Sequence, residues 1–128
     1  MNSGAFGVWF AVMFAGALGT GARFGVNQLL RGSLGLFPAA TLAVNVVGGL
    51  AMGAIAGWVQ TRQEFSETLR LALATGFLGG FTTFSAFSLE TLTLWRDGQG
   101  MLALLNIGAN VLLSIGACAL GYWFGRAL

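Results

Sequence analysis

The sequence predicts an all-α, polytopic membrane protein of four crossing helices, and three observations predict it. Hydrophobic residues make up 56% of the 128 positions and charged residues only 8%, against about 45–50% and about 25% in soluble domains. The few charges divide the chain into long uncharged tracts: Met1–Ala22, Gly32–Thr61, Leu71–Leu89 and Gln99–Gly125. Each is near or above the roughly 20 apolar residues that a helix needs to cross hydrocarbon. Barrel strands would instead be about 10 residues long and strictly alternating, a pattern the tracts lack.

The spans fall at about 5–28, 36–60, 69–94 and 100–124, within one domain covering 1–128. The first lacks the basic leader and small-residue cleavage site of a signal peptide, so it is expected to be retained. Arg31 to Pro38 joins the first two spans, and Pro38 sits near a helix start, where its missing donor costs little. The segment TRQEFSETLR, Thr61 to Arg70, is the most polar stretch and connects the second and third. Trp95 to Gly98 connects the last two, with Arg96 and Asp97 in water. Trp9, Trp58, Trp95, Tyr122 and Trp123 lie near span ends, where amphipathic rings prefer to sit. No soluble domain, linker or soluble partner is expected.

Charge and composition exclude several function classes. Arginine supplies all six positive charges, there is no Lys or His, and the net charge is +2, too small and scattered for nucleic acid. The lone Cys118 excludes an intramolecular disulfide and a cysteine-cluster metal site. With no His and no acid pair, general acid–base and covalent catalysis lack their usual residues, so an enzyme is not expected. Four spans place Arg62, Arg70 and Arg126 on one side and Arg23, Arg31 and Arg96 on the other. That is three against three, where cytoplasmic loops normally hold an excess. Two readings follow: a weak bias resolved by other means, or dual topology with pairing into an antiparallel homodimer. Glycine, 21 of 128 residues, repeats at four-residue spacing (Gly49, Gly53 and Gly57; Gly76 and Gly80; Gly121 and Gly125), which lets helices pack closely.

Polar residues inside the spans are the candidate functional groups, because hydrocarbon does not tolerate them without a partner. Asn45 lies among Ala43, Val44, Val46 and Val47; it is either a helix–helix hydrogen-bonder or a pore amide. Asn106, Asn110 and Ser114 stand four apart as a stripe, which lines either a packed seam or a wet passage. In the third span, TGFLGGFTTFSAFSLE, glycines and threonines mark a point where a membrane helix can open. An opening frees carbonyls for a small cation and amides for an anion. Phe84 and Phe87, interleaved with Ser85 and Ser88, present ring edges of positive character. Glu90 is the only acid inside a span and lies near its end. The alternative is an unbroken glycine packing face and ordinary packing phenylalanines.

These residues also carry a resemblance. GTGARF at Gly19 to Phe24, TLAVNVVG at Thr41 to Gly48 and above all GFLGGFTTFSAFS at Gly76 to Ser88 resemble the CrcB-like (Fluc) bacterial fluoride channels over essentially the whole chain. The resemblance implies a passive fluoride-selective channel that exports cytoplasmic fluoride across the bacterial inner membrane, without nucleotide hydrolysis. It implies an antiparallel dual-topology homodimer in membrane lipid, with a break in the third helix, two pores and a central structural sodium ion. By matching position, Asn45 resembles the pore asparagine, Phe84 and Phe87 the pore phenylalanines, and Ser85 a member of the hydroxyl track; Ser114 is matched by spacing. Arg23 resembles the vestibule arginine, and Gly79 and Thr82 the positions whose backbone carbonyls hold sodium. Ala86 departs from the pattern, removing one hydroxyl of the track. The alternative class is a small multidrug-type proton-coupled exporter of cationic compounds, for which Glu90 is the only candidate acid.

Overall fold

Asn2 starts the first helix: its side-chain oxygen accepts the Ala5 N–H at 2.9 Å, satisfying one of the amides that a helix start leaves free. In the computed structural model, which describes residues 2–128, α1 then runs Ser3–Leu30. Two turns follow, with Gly32 at φ +72° and Gly35 at φ +64°, a conformation that a β-carbon resists. They lead to Pro38 and to α2, Ala39–Thr61. The composition puts the start of this span near 36; the left-handed glycine at 35 and the proline at 38 delay it to Ala39.

The third crossing is assembled from pieces. Ser66 accepts the Leu69 N–H at 3.3 Å and opens α3, Glu67–Leu71, whose Glu67 pairs with Arg70. A π-helical stretch, Ala72–Leu78, continues directly into α4, Gly79–Phe81. Thr82 and Thr83 are extended, with ψ 160° and 118°. The helix resumes as α5, Phe84–Arg96. Gly98 turns the chain at φ +78°, and α6 runs Gly100–Ala127. Spans Ser3–Leu30, Ala39–Thr61, Glu67–Arg96 and Gly100–Ala127 are each long and apolar enough to cross a membrane. The π-helical stretch is invisible to a reading by charge-free tracts, since it changes helix winding and not composition.

Glycine decides which helices touch. Gly49, Gly53 and Gly57 of α2 meet Ser114, Cys118 and Tyr122 of α6 in register, so these two helices run parallel. A β-carbon on Gly53 would lie 1.9 Å from the Cys118 carbonyl oxygen, and one on Gly121 would lie 2.1 Å from that of Leu50. The first and third crossings form a second parallel pair, in which a β-carbon on Gly19 would lie 2.0 Å from the Phe77 carbonyl oxygen. Backbone-to-backbone contact of this kind replaces the hydrophobic drive that lipid does not supply.

The radial distribution is that of a multi-pass membrane protein. Phe6, Phe10, Phe14, Leu29 and Leu112 are exposed, while Val44, Asn106 and Thr41 are the largest fully buried side chains. Apolar groups outside and amides inside suit hydrocarbon as the solvent. Gly121→Ala is expected to destabilise by about 1–3 kcal/mol through overpacking. Gly7→Ala, with open space around it, should be neutral or slightly stabilising. Unfolding in mixed micelles followed by circular dichroism checks both, and equal effects of the two would remove the close contact as the cause.

Candidate functional site

The site is built on two amides that leave their helix. In continuous α-helix the Thr83 N–H would reach the Gly79 carbonyl, and the Ala86 N–H that of Thr82. Instead the Thr83 N–H donates to Asn45 Oδ1 at 2.9 Å, and the Ala86 N–H donates to Thr83 Oγ1 at 3.1 Å. The carbonyls of Gly79 and Thr82 thereby lose their helical donors. The Gly80 carbonyl, which would have served Phe84, accepts from Arg23 Nε at 3.0 Å. Arg23 of α1 thus ties its helix to the interruption.

Asn45 holds the other side of the same residue. Its Nδ2 donates to the Thr83 carbonyl at 3.1 Å and to Asn110 Oδ1 at 2.9 Å. The side chain therefore satisfies both backbone groups of Thr83, as a neighbouring strand would. Asn110 Nδ2 donates to Asn106 Oδ1 at 2.9 Å, Asn106 Nδ2 to Thr91 Oγ1 at 2.9 Å, and Thr91 Oγ1 to the Phe87 carbonyl at 2.7 Å. Asn106 and Asn110 are 0% and 6% exposed, which makes this part of the α6 stripe a packed seam. Ser114, the third member, behaves differently: its buried Oγ has no hydrogen-bond partner.

Ser114 also borders a groove of about 400 Å³, whose lining includes Asn45, Thr82, Thr83, Phe84, Phe87 and Asn110. Among the described residues, no charged side chain lines it. The Phe84 and Phe87 rings stand 5.5 Å apart at 52°. Phe87 is 8% exposed and packed, whereas Phe84 is 77% exposed and projects from the chain. Ser85 is exposed and outside the groove lining, 3.3 Å from Thr83 Oγ1. Ser88 turns back to the Phe84 carbonyl at 2.8 Å. Gly79 is exposed.

Glu90 lies elsewhere. Its Oε1 accepts from Thr41 Oγ1 at 2.8 Å, at the edge of a separate cavity of about 350 Å³ beneath the α1–α2 connection that includes Asn27 and Arg31. Among the described residues there is no cluster of three His, Cys, Asp or Glu side chains able to hold a metal. The structure thus gathers Asn45, Phe84, Phe87, Ser114 and Thr82 at one groove, with Gly79 and Arg23 at the same interruption and Ser85 just outside. Sequence reasoning missed Thr83, which bears both the backbone bonds and the cap. Its signal was available: a threonine three residues before an amide that needs a partner at a helix start.

Thr83→Val removes the cap and should destabilise by about 1 kcal/mol. Asn45→Ala strands both backbone groups of Thr83, at about 1–3 kcal/mol for each, so its loss should be the larger. Denaturant unfolding of the two variants checks the order; a smaller loss for Asn45→Ala would reverse the assignment of the main clamp.

The chain is similar to known proteins over most of its length. The family model described as CrcB-like protein, Camphor Resistance (CrcB), matches residues 10–122. A relative from Hyphomonas neptunium, named fluoride-specific ion channel FluC, is 46% identical over 119 residues, covering 91% of this chain and 94% of its own length. A relative of the same name from Paracoccus denitrificans is 46% identical over 117 residues, covering 91% and 93%. One from Saccharophagus degradans, also so named, is 42% identical over 110 residues, covering 86% and 83%. The match spans all four crossings and both sides of the groove, and on it the chain belongs to the CrcB-like family.

Proposed function

We propose that the chain is a passive, fluoride-selective ion channel of the bacterial inner membrane that exports cytoplasmic fluoride. The observation that carries this reading is the groove: uncharged, bearing a buried hydroxyl without a partner at Ser114, and flanked by two tilted phenylalanines. Relatives bearing the name fluoride-specific ion channel support the same conclusion. Fluoride is small and strongly hydrated, so a passage must replace its water with firm donors over a short path. Ser114 Oγ–H and the positive ring edges of Phe84 and Phe87 are such donors. Asn45 has both amide protons engaged, so it serves an ion only by exchanging Asn110 Oδ1 for it. A proton-coupled exporter of cations is disfavoured, because Glu90 is held by Thr41 away from the groove.

The channel acts as an antiparallel dual-topology homodimer in lipid. The three-against-three arginine balance supports opposed insertion, since neither loop set holds an excess. The exposure of Phe84 and Gly79 supports a second copy, which would close the open side of the groove and give each pore rings from both chains. The third helix functions as a broken helix, and the displaced amides of Thr83 and Ala86 support a role for the Gly79 and Thr82 carbonyls. Those carbonyls, from both copies, would hold a structural sodium ion, whose charge satisfies backbone oxygen that hydrocarbon leaves costly. Ser85 stands beside the groove as a further hydroxyl, and Arg23 gives the vestibule a positive charge while bonded to Gly80.

Liposomes containing only the purified protein should release fluoride rapidly and chloride hardly at all, without nucleotide. Efflux no faster than from protein-free liposomes would end this reading. Phe87→Ile is expected to reduce flux about tenfold, the effect of roughly 1.4 kcal/mol on a barrier. Asn45→Asp should lose more than Asn45→Ser, because it sets a negative charge in an anion's path. A tag placed after Leu128 should be accessible from both membrane faces in comparable amounts, and a single orientation would exclude the antiparallel dimer.

A further inference from the structure

We propose that Asn110, backed by Asn106 and Thr91, is a positioning residue for permeation: it holds the Asn45 amide against Thr83 and so sets the backbone on which Phe84 and Phe87 stand. The proposal rests on the reading of the chain as a fluoride conductor. Its basis is the direction of the seam. A backbone N–H only donates, so the atom of Asn45 facing the Thr83 nitrogen must be its oxygen. Nδ2 then faces the Thr83 carbonyl and Asn110, and the atom that Asn110 presents there must accept.

That choice passes along the seam. With Oδ1 committed to Asn45, Asn110 turns Nδ2 to the oxygens of Asn106. Asn106 in turn directs its own Nδ2 to Thr91, and the hydroxyl proton of Thr91 goes to the Phe87 carbonyl. Apart from the Asn45 proton returned to the Thr83 carbonyl, every donor points the same way, and one backbone amide dictates the whole order. The path begins at Thr83 and returns to Phe87, one helical turn later on α5. Phe84, the ring that projects into the open side of the groove, lies between these two anchors. The loop passes through α2 and α6, so three helices are held to one arrangement around Phe84.

Seen only as groove lining, Asn110 would act by touching the ion. Seen as a positioning residue, it acts through Asn45, and the two roles separate in a double-mutant cycle. Fluoride efflux from liposomes is measured for Asn110→Ala, Asn45→Ala and the pair, alongside hydrogen exchange of the Thr83 amide by NMR in the absence of fluoride. The expected result is slower efflux in Asn110→Ala, no further slowing when it is added to Asn45→Ala, and Thr83 exchange faster by about tenfold. Thr91→Val is nearly isosteric and lies outside the groove lining. It should also speed Thr83 exchange, and it keeps the test decisive where Asn110→Ala does not fold. Unchanged Thr83 exchange in both variants, or losses of efflux that add in the pair, would overturn the proposal. A wild-type protein that moves no fluoride would instead overturn the functional reading, while the exchange measurements would still decide whether the seam holds Thr83.

Discussion

Everything near the groove depends on how one residue's backbone is satisfied without water. A helix interrupted in hydrocarbon leaves donors and acceptors that cost several kcal/mol each. Thr83 avoids that cost because Asn45 bonds its N–H and its carbonyl together. The interruption is therefore tied to α2, and it persists at this position because an amide side chain, with one acceptor and two donors, fits the need. A serine or an aspartate offers only part of that set.

The seam extends this constraint into packing. The side chains most removed from the surroundings include Asn106 and Thr41, while rings such as Phe84 stand outward. In water such a core would be a liability, because buried amides gain little over hydration. Here the outside is apolar, and the inside is where polar groups find one another. Threonine and serine hydroxyls on α5 follow the same rule by bonding back to carbonyls four residues earlier, as Ser88, Thr91 and Thr93 do.

How much of this is legible in the sequence varies with the kind of force involved. The four crossings are legible because charge-free length is what a bilayer reads. Close helix contact is legible in the glycine spacing, though which helices pair is not; that requires Gly53 to find Cys118 and Gly19 to find Phe77. Asn45, Phe84, Phe87 and Ser114 stand out as candidates because a polar or paired aromatic group in an apolar tract is conspicuous. Thr83 does not, since a threonine in a membrane helix is ordinary until its neighbour's amide is seen to need it. The even spacing of Asn106, Asn110 and Ser114 suggests one shared role, and the structure divides it: Asn106 is buried in the seam, Asn110 belongs to the seam and borders the groove, and Ser114 lines the groove without a hydrogen-bond partner.

The same contrast explains how the chain combines rigidity with an open groove. Two parallel pairs, α2 with α6 and α1 with the first half of the third crossing up to Gly80, approach backbone to backbone where glycine removes the β-carbon. Contacts that close leave no adjustable side chain between the helices, so each pair behaves as one stiff unit. Between the pairs, Gly48 packs against the Thr82 methyl, and side-chain amides and hydroxyls supply the remaining ties: Asn45 to Thr83, Thr41 to Glu90, and Asn106 to Thr91. Such bonds are directional, and they fix orientation without filling space. A groove of about 400 Å³ can therefore stand open beside them, where a hydrophobic junction of the same helices would have to collapse to gain its energy. The groove lies along the junction held by hydrogen bonds, with the stiff α2–α6 pair as one wall and the stretch from Thr82 to Phe87 as the other.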